Sequence, residues 1–446
     1  MILLFAGISA LSQAQVNFRP VDSLYMNSLE DFYTIAENSM NDIWPGMKPS
    51  PVCLYRVNGP AFLYNHPDPP PSFTKITEKL YAGSQYEAGL FGSTQLDING
   101  ILTAIADYGR EPHLDTQEVM AELFHEMHHA YQQKHIRELD YENMSLLITY
   151  PENAGNEAVK NYEELLLFKM CFTPDRADFV NYLGQFFSCR RRRAEITGDY
   201  MDYEKDVESL EGPAFYSEYL FYRNFSETDE LQKENYIQNH FFGILNTPYY
   251  GRTGLRTRHL ASGMAMCYII DRYYDNWQEE FYGSGEKLYD FFKSKFETRV
   301  VNVDIPDIFF AVSNFYVAEE KTKHQLNYEK FNSGSGIKVS MEFNTAPSVR
   351  GFDPMNAEAV NDSIIINKTL LRLMNGDNSL FITNTPAVTV IGDEVWTIKK
   401  LMFFVDKRSD IEYEGNKLII SHGGINVEWD ADIKFERSDS VAFSCY

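Results

Sequence analysis

The feature that most constrains this chain is a run of five residues in its first third, His125-Glu126-Met127-His128-His129. In an α-helix, residues four apart lie one turn above each other on the same face, so His125 and His129 would point in the same direction. Two imidazoles placed in this way can bind one Zn²⁺ ion, while Glu126 beside them can accept a proton from a metal-bound water. The run therefore predicts a helix that carries a metal site.

The residues around the run favour a helix. Asp115 stands three positions before Glu118, an arrangement typical of a capping box at a helix start. Apolar residues at helical spacing can form its buried side: Val119, Met120, Leu123, Met127 and Ala130. One side of the helix is thus available for a metal and the other for a core.

Length and charge limit the classes of protein to which the chain can belong. A chain of 446 residues is too long for one ordinary core and predicts two domains, with three as the alternative. The 64 acidic and 40 basic residues give a formal charge of −24, and a field of that sign repels nucleic-acid phosphates and anionic lipid head groups. We therefore expect no nucleic-acid partner. We also expect no integral membrane segment, because no stretch is long and apolar enough to cross a bilayer.

Residues Met1 to Ala14 form an apolar run that ends in Ser12-Gln13-Ala14, with small residues at the positions that a signal peptidase reads. No Lys or Arg precedes the apolar part, which leaves two alternatives: a true start upstream of Met1, or a buried strand. We expect a signal peptide in residues 1–14 and a secreted or periplasmic protein. The five cysteines show no paired spacing, which predicts buried free thiols, with one or two disulfides as the alternative.

The composition changes near residue 330, and the expected fold class is α+β. Before that point, apolar periodicity predicts helices over Val21–Trp44, Pro151–Cys171, Arg190–Phe221, Leu260–Trp277 and Gly285–Phe296. After it, short β-branched and aromatic runs between turn residues predict an all-β module, a sandwich or a small barrel. Asn375-Gly376-Asp377-Asn378 and Glu414-Gly415-Asn416 are predicted tight turns. We expect a mostly helical domain over residues 15–330 and a β-rich domain over residues 331–446.

A catalytic zinc site needs a third protein ligand, and the strongest candidate is Glu211 in the segment Leu210-Glu211-Gly212-Pro213-Ala214-Phe215-Tyr216. Together with the motif at His125, this segment resembles the gluzincin metallopeptidases, the group that holds thermolysin and the zinc aminopeptidases. In that group a second helix supplies a Glu ligand, which in the aminopeptidases stands before Gly in an EGxAxY-like segment. The resemblance implies a zincin-like fold, with His125, His129 and Glu211 as Zn²⁺ ligands and Glu126 as the general base. It also implies an edge strand that binds the substrate backbone, for which Gly92 to Tyr108 is the candidate.

Two features leave alternatives to this ligand set. Glu211 lies much farther from His129 than in the better-known gluzincin branches, and an inserted helical hairpin within Pro151 to Phe187 would reconcile the spacing. Glu208 lies one turn before Glu211 on the same helical face, so it is the alternative ligand. If it is not the ligand, Glu208 is expected to support a ligand imidazole through the free N–H of the ring.

Three further predictions concern residues outside the expected ligand set. Gluzincins commonly use a Tyr or His to stabilise the oxyanion, and Tyr250 is the best-placed candidate, with Tyr249 and Tyr216 as alternatives. His128 is expected to pack or to support a ligand, because adjacent helical residues do not share a face. The Arg190–Arg193 run is expected to form a solvated helix face paired with nearby acidic residues, and steering of an acidic substrate is the alternative.

The sequence therefore predicts a zinc metallopeptidase that acts on a peptide or protein substrate, with its oligomeric state left open. The alternative from another class is a binding protein that keeps the zincin scaffold and its metal without turnover, and whose β-rich domain contacts a glycan or a protein partner. A non-peptidase hydrolase is a third possibility, since zinc activates water for esters and amides alike. The intact Glu126 beside both histidines favours an enzyme.

Overall fold

The computed structural model describes residues 18–85, 90, 92–109, 116–135, 146, 149–248, 254–296, 299, 301–353, 356–392 and 396–446. The predicted signal peptide, Met1 to Ala14, and the predicted cap Asp115 lie outside these ranges. Ten α-helices occur in the described residues: α1 Pro20–Ile43, α2 Thr116–His135, α3 Ala154–Phe172, α4 Arg176–Thr197, α5 Tyr200–Phe225, α6 Glu230–Tyr236, α7 Leu255–Asp271, α8 Trp277–Ser284, α9 Leu288–Lys295 and α10 Asp307–Asn332. The protein is thus α+β, with the strands in two separate sheets.

The first sheet precedes the motif helix in the chain. Its strands are β1 Val52–Tyr55, β2 Pro60–Tyr64, β3 Thr74–Lys75, β4 Leu80–Ser84, β5 Thr94–Ile98 and β6 Ile101–Asp107, in the spatial order β3-β4-β2-β1-β6-β5. The pair β1–β6 is parallel, and the other pairs are antiparallel. Strand β5 lies at the edge next to β6, so the prediction of an edge strand between Gly92 and Tyr108 is confirmed.

Helix α2, which carries the motif, packs between β6 and α5. Its apolar residues have almost no solvent exposure, and they join one large core with α1, α3, α5 and α7: Val119, Met120, Leu123, Phe124 and Met127. Residues at these helical spacings make one continuous apolar side, which removes that side from water and fixes the rotation of the helix. The opposite side is therefore held towards the polar residues of α5.

The predicted helical hairpin is confirmed, because α3 and α4 pack against each other and are joined by only a short connection. Asp175 ends that connection and caps α4, accepting hydrogen bonds from the backbone N–H groups of Ala177 and Asp178. The prediction of one helix over Arg190–Phe221 is wrong. The chain turns at Gly198, whose φ of 56° lies in the left-handed region that favours glycine, and α5 begins after it.

The prediction of a solvated arginine face is wrong for half of its residues. Arg191 and Arg192 are exposed, but Arg190 and Arg193 are buried between α3 and α5. Arg190 binds Glu208 through both terminal nitrogens, at 2.7 and 2.8 Å, and Arg193 pairs with Glu204 and Glu163. Two arginines three positions apart on α4 thus face inward, and they neutralise carboxylates that burial would otherwise make unfavourable.

The C-terminal part of the chain forms the second sheet, whose twelve strands contribute to a main apolar core. They are β7 Ile337–Phe343, β8 Ser348–Phe352, β9 Ala357–Asn361, β10 Ile364–Asn367, β11 Leu370–Asn375, β12 Asn378–Thr383, β13 Ala387–Ile391, β14 Ile398–Val405, β15 Ile411–Glu414, β16 Lys417–His422, β17 Ile425–Glu436 and β18 Ser440–Cys445. Both predicted tight turns are confirmed, because Gly376 and Gly415 have positive φ between the paired strands β11–β12 and β15–β16. The β-rich C-terminal part that the sequence predicted is therefore present.

Two smaller predictions can also be compared with the structure. All five cysteines are buried free thiols, as predicted. Within the described ranges, no helix has both the length and the apolar composition that a bilayer crossing needs.

Candidate metal centre

Three of the predicted site residues come together at the contact between α2 and α5. His125 and His129 project from α2, and Glu211 projects from α5 to meet them. The Nε2 atoms of the two histidines are 3.0 Å apart, and Oε2 of Glu211 lies 3.5 Å from Nε2 of His125 and 3.4 Å from Nε2 of His129. All three side chains are buried. The structure thus joins residues that are far apart in the sequence into one compact triangle of nitrogen and oxygen atoms.

The size of this triangle fits a small divalent ion. Zn²⁺ binds imidazole nitrogen and carboxylate oxygen at about 2.0–2.2 Å, so tetrahedral geometry places neighbouring ligand atoms about 3.3 Å apart. The three observed separations of 3.0, 3.4 and 3.5 Å lie close to that value. Among the described residues, His125, His129 and Glu211 are the group of ligand-type side chains that could hold a metal ion.

The Nδ1 atoms of both imidazoles, which point away from the triangle, have partners that determine the tautomer. Nδ1 of His125 lies 3.0 Å from Oε2 of Glu218, a carboxylate that can only accept, so this nitrogen carries the hydrogen. Nδ1 of His129 lies 2.6 Å from Oε1 of Gln132. The amide of Gln132 is oriented in turn, since its Nε2 donates to the backbone carbonyl of Leu210 at 2.8 Å. In the neutral rings, both Nε2 lone pairs therefore face each other and Glu211.

Three acceptors that converge without a donor between them need a cation. In a buried site the cation can be a metal ion or a proton. Burial alone would lower the pKa of His125, but hydrogen bonds to Glu211 and Glu218 raise it well above its usual value. Burial would raise the pKa of Glu211, yet Arg256 and the two histidines hold it well below its usual value. Both shifts favour a positive charge between these three atoms, which a metal ion or a proton can supply.

The second oxygens of both carboxylates are also held. Oε1 of Glu211 accepts from Nε of Arg256 at 3.1 Å and from its Nη2. Oε1 of Glu218 lies 3.0 Å from Nε2 of His240, which belongs to a single π-helical turn, Ile237–Phe242. Burial would raise the pKa of Glu218, but hydrogen bonds from His125 and His240 lower it to about 2, so Glu218 is a carboxylate at neutral pH. These contacts fix the direction of each ligand side chain.

Glu126 lies beside the triangle and faces the first sheet. Its Oε2 accepts from Nε2 of Gln95 on the edge strand β5 at 2.5 Å. Burial raises the pKa of the Glu126 carboxyl, although the nearby His129 and His125 oppose the shift. A carboxylate with a raised pKa binds a proton more readily than an ordinary glutamate, which suits a residue that takes up and releases protons.

A close helix crossing positions Glu211. Gly212, the next residue on α5, touches Gly263 of α7, and a Cβ at Gly212 would lie 2.6 Å from Cα of Gly263. Only glycine on both sides permits this approach. The crossing brings the first turn of α7, with Arg256, to the carboxylate of Glu211.

Several predicted residues lie elsewhere. Glu208 is neither a ligand nor the support of a ligand imidazole: its carboxylate binds Arg190 and accepts from Ser262 at 2.6 Å, and Glu218 supports His125 instead. This correction follows from the helical repeat, because Glu218 but not Glu208 lies on the side of Glu211 that faces α2. Tyr249 and Tyr250 lie outside the described residues.

His128 and Tyr216 are both buried. His128 lies 2.7 Å from Ser217 and 2.9 Å from the hydroxyl of Tyr282, in agreement with the prediction that it packs or supports the site. Burial first, and then repulsion from His129 and His125, hold the pKa of His128 well below its usual value. Tyr216 packs against Tyr219 and Trp277, so its ring is part of the core.

Sequence reasoning missed Gln95, Gln132, Arg256 and His240. A local signal existed for Gln132, because it lies three residues after His129 and therefore on the same helical face. Gln95 was inside the predicted edge strand but was not singled out. The positions of Arg256 and His240 depend on how α7 and the π-helical turn pack against α5, and no local pattern reports that packing.

Comparisons of the chain with protein-family models, curated proteins and solved structures give no significant match.

Proposed function

We propose that this protein is a zinc-dependent peptidase of the gluzincin type, with a zincin-like fold around α2 and α5. The observation that carries the proposal is the convergence of three acceptor atoms, from His125, His129 and Glu211, at the spacing of tetrahedral zinc ligands. Glu126 follows the first of these ligands and lies beside the same triangle. Two histidines, one glutamate and an adjacent carboxylate that is not a ligand form the residue set of a catalytic zinc site.

Zinc is the ion that this donor set suits best. Two imidazole nitrogens favour a borderline ion over Ca²⁺ or Mg²⁺, which prefer oxygen ligands. Three protein ligands leave one position for water, as in catalytic rather than structural zinc sites. The hydrogen bonds from the two imidazoles to Glu218 and Gln132 support the same assignment, because such partners orient metal-binding histidines in proteins.

The residues around the ion would divide the work of hydrolysis. A bound Zn²⁺ would lower the pKa of a coordinated water and polarise a substrate carbonyl. Glu126 would accept a proton from the attacking water and return it to the leaving nitrogen. Gln95 holds one oxygen of Glu126, which orients the carboxylate and leaves its other oxygen to carry the proton.

The edge strand β5 offers a binding surface for an extended peptide. One side of β5 pairs with β6, and in the described sheet the other side pairs with no strand. Main-chain N–H and C=O groups on a free edge can bind a substrate as an added strand. Because Gln95 of β5 contacts Glu126, a peptide along this edge would pass beside the proposed general base.

The direct test measures metal content and hydrolysis together. Mass spectrometry of the folded protein should find one zinc per chain, and a peptide library should be cleaved with zinc present and not after chelation. Folded protein without zinc would contradict the proposal.

A Glu126→Gln variant tests the proposed general base. The amide keeps the shape of the side chain and its contact with Gln95, but it cannot accept the proton. We expect zinc content to be retained and turnover to fall by about 10²–10⁴. Glu195→Gln, an exposed substitution of the same type on α4, should behave like the parent. Equal cleavage by Glu126→Gln and the parent would refute the assignment. Zinc binding by a parent that cleaves no library peptide would instead favour the binding-protein alternative.

A further inference from the structure

Arg256 lies in the first turn of α7 and contacts the site from there. The HExxH motif does not predict that this helix contributes a residue. Its Nε and Nη2 atoms both donate to one oxygen of Glu211. The attraction of Glu211 raises the pKa of Arg256 above its usual value, and Glu126 contributes to the same shift. The cation therefore lies within the electrostatic reach of both the third ligand and the proposed base.

The surroundings of Arg256 differ from those of the buried arginines. The side chain of Arg258, two residues later, is 1% exposed and its nitrogens bind Glu157, Glu164 and Asn161. The side chain of Arg256 is 39% exposed. Among the described residues, Nη1 of Arg256 makes no hydrogen bond, so within this part of the chain one branch of the guanidinium can donate to a ligand.

This arrangement has the properties of an oxyanion donor. The contact of Nε and Nη2 with Glu211 fixes the guanidinium, so that little reorganisation is needed when charge develops nearby. The same contact places the cation one carboxylate away from the triangle of ligand atoms. A guanidinium stays protonated at every working pH.

Building on the proposed peptidase function, we propose that Arg256 is a catalytic residue that stabilises the oxyanion. As the water oxygen bonds to the carbonyl carbon, the π-electron pair of the C=O bond moves to the carbonyl oxygen, and Nη1 of Arg256 donates to that negative oxygen. Glu126 holds the proton that the water loses. When the C=O bond re-forms, the C–N bond breaks, and the nitrogen leaves with its electron pair and the proton from Glu126.

The test separates this role from simple support of Glu211. Arg256→Gln and Arg256→Lys are compared with Arg191→Gln, which removes a charge from the exposed face of α4. Each protein is saturated with zinc, and two quantities are measured: the kinetics on a library-derived peptide, and the Kd of a phosphinic peptide by calorimetry. The phosphinic group is a tetrahedral anion that mimics the charged oxygen, so its affinity reports the interaction without turnover.

We expect Arg256→Gln to lower kcat by about 10²–10³ with little change in KM, and to weaken phosphinic-peptide binding by a similar factor. Arg256→Lys should recover part of both losses, because it restores the charge without the second branch. Arg191→Gln should behave like the parent. A residue that only supports Glu211 would instead lower zinc affinity, and excess zinc would restore both quantities.

Full kcat and full phosphinic-peptide affinity in zinc-saturated Arg256→Gln would overturn the oxyanion role while leaving the peptidase proposal intact. A zinc-loaded parent that neither cleaves peptides nor binds the phosphinic peptide would overturn both proposals. The two failures are therefore distinguishable.

Discussion

Replacement of Glu218 by Gln tests the tautomer on which the candidate metal centre depends. Glu218 accepts from Nδ1 of His125 at 3.0 Å and from Nε2 of His240 at 3.0 Å, and it is 5% exposed. A carboxylate has two acceptor oxygens, whereas an amide has one acceptor and one donor group. In Glu218→Gln, one of the two histidines must therefore face an N–H group.

If the amide N–H faces His125, the ring hydrogen moves to Nε2 and the metal loses a ligand lone pair. If the amide oxygen faces His125, the hydrogen bond survives, but the negative charge that makes the imidazole a stronger ligand is gone. Removal of such supporting contacts lowers metal affinity by about 10–100-fold, which corresponds to about 1.4–2.7 kcal/mol. We expect Glu218→Gln to weaken zinc binding within this range.

The assay is zinc competition against a chromophoric chelator, with circular dichroism to verify folding. His240→Gln should weaken zinc binding less than Glu218→Gln, because the hydrogen bond between Glu218 and His125 remains. Glu227→Gln, an exposed substitution close to the end of α5, is the control. Zinc affinity equal to the parent's in folded Glu218→Gln would refute the inferred tautomer.

Four further predictions concern the protonation of His125, the crossing of α5 and α7, and the support of His129. Burial lowers the pKa of His125, but Glu211 and Glu218 raise it well above its usual 6.5 in the metal-free protein, so zinc must displace a proton. Zinc affinity should therefore rise with pH above 6.5, with proton release detected by calorimetry in buffers of different ionisation enthalpy. The stability that this proton gives the metal-free protein is complete below pH 6.5 and is lost as the pH rises through the raised pKa of His125. In urea unfolding, the free energy of unfolding of the metal-free protein should therefore fall at alkaline pH. The zinc-bound protein should show no such fall. Gly212→Ala should destabilise the fold by about 1–3 kcal/mol in urea unfolding, because the added Cβ would clash with Gly263. The control Gly283→Ala should not destabilise it, since the space around Gly283 is open. Equal stability of the two variants would contradict the close crossing of α5 and α7. Gln132→Met should weaken zinc binding in the competition assay, since His129 loses its acceptor, and unchanged affinity would show that Gln132 does not orient the ring.

The local part of the site could be predicted because a helix repeats regularly. The i,i+4 relation places His125 and His129 on one face whatever the rest of the chain does. The apolar residues Leu123 and Met127 also report locally which side of α2 is buried. The same periodicity failed at Gly198, where helical propensity continues but the backbone takes a positive φ and divides one predicted helix into two.

The non-local part of the site could not be predicted in the same way. The hairpin of α3 and α4 separates Glu211 from the motif in sequence, and the two segments meet only because α5 returns to pack against α2. Glu204, Glu208, Glu211 and Glu218 are all buried on one helix, and spacing alone does not say which of them faces a metal. The partners decide it: Glu204 and Glu208 pair with Arg193 and Arg190 of α4, whereas Glu211 and Glu218 both lie beside His125 of α2.

Gly212, the residue after the proposed ligand Glu211, links the local and the non-local parts of the site. Gly212 permits α5 and α7 to cross at backbone contact, so Glu211 lies where Arg256 of α7 can hold its second oxygen. A larger residue at position 212 would separate the helices and withdraw the guanidinium from the carboxylate, even with every ligand side chain unchanged. Zinc affinity and the role of Arg256 therefore depend on the same crossing, and Gly212→Ala should weaken zinc binding as well as the fold. Destabilisation without any loss of zinc affinity would show that α2 and α5 hold the ligands independently of α7.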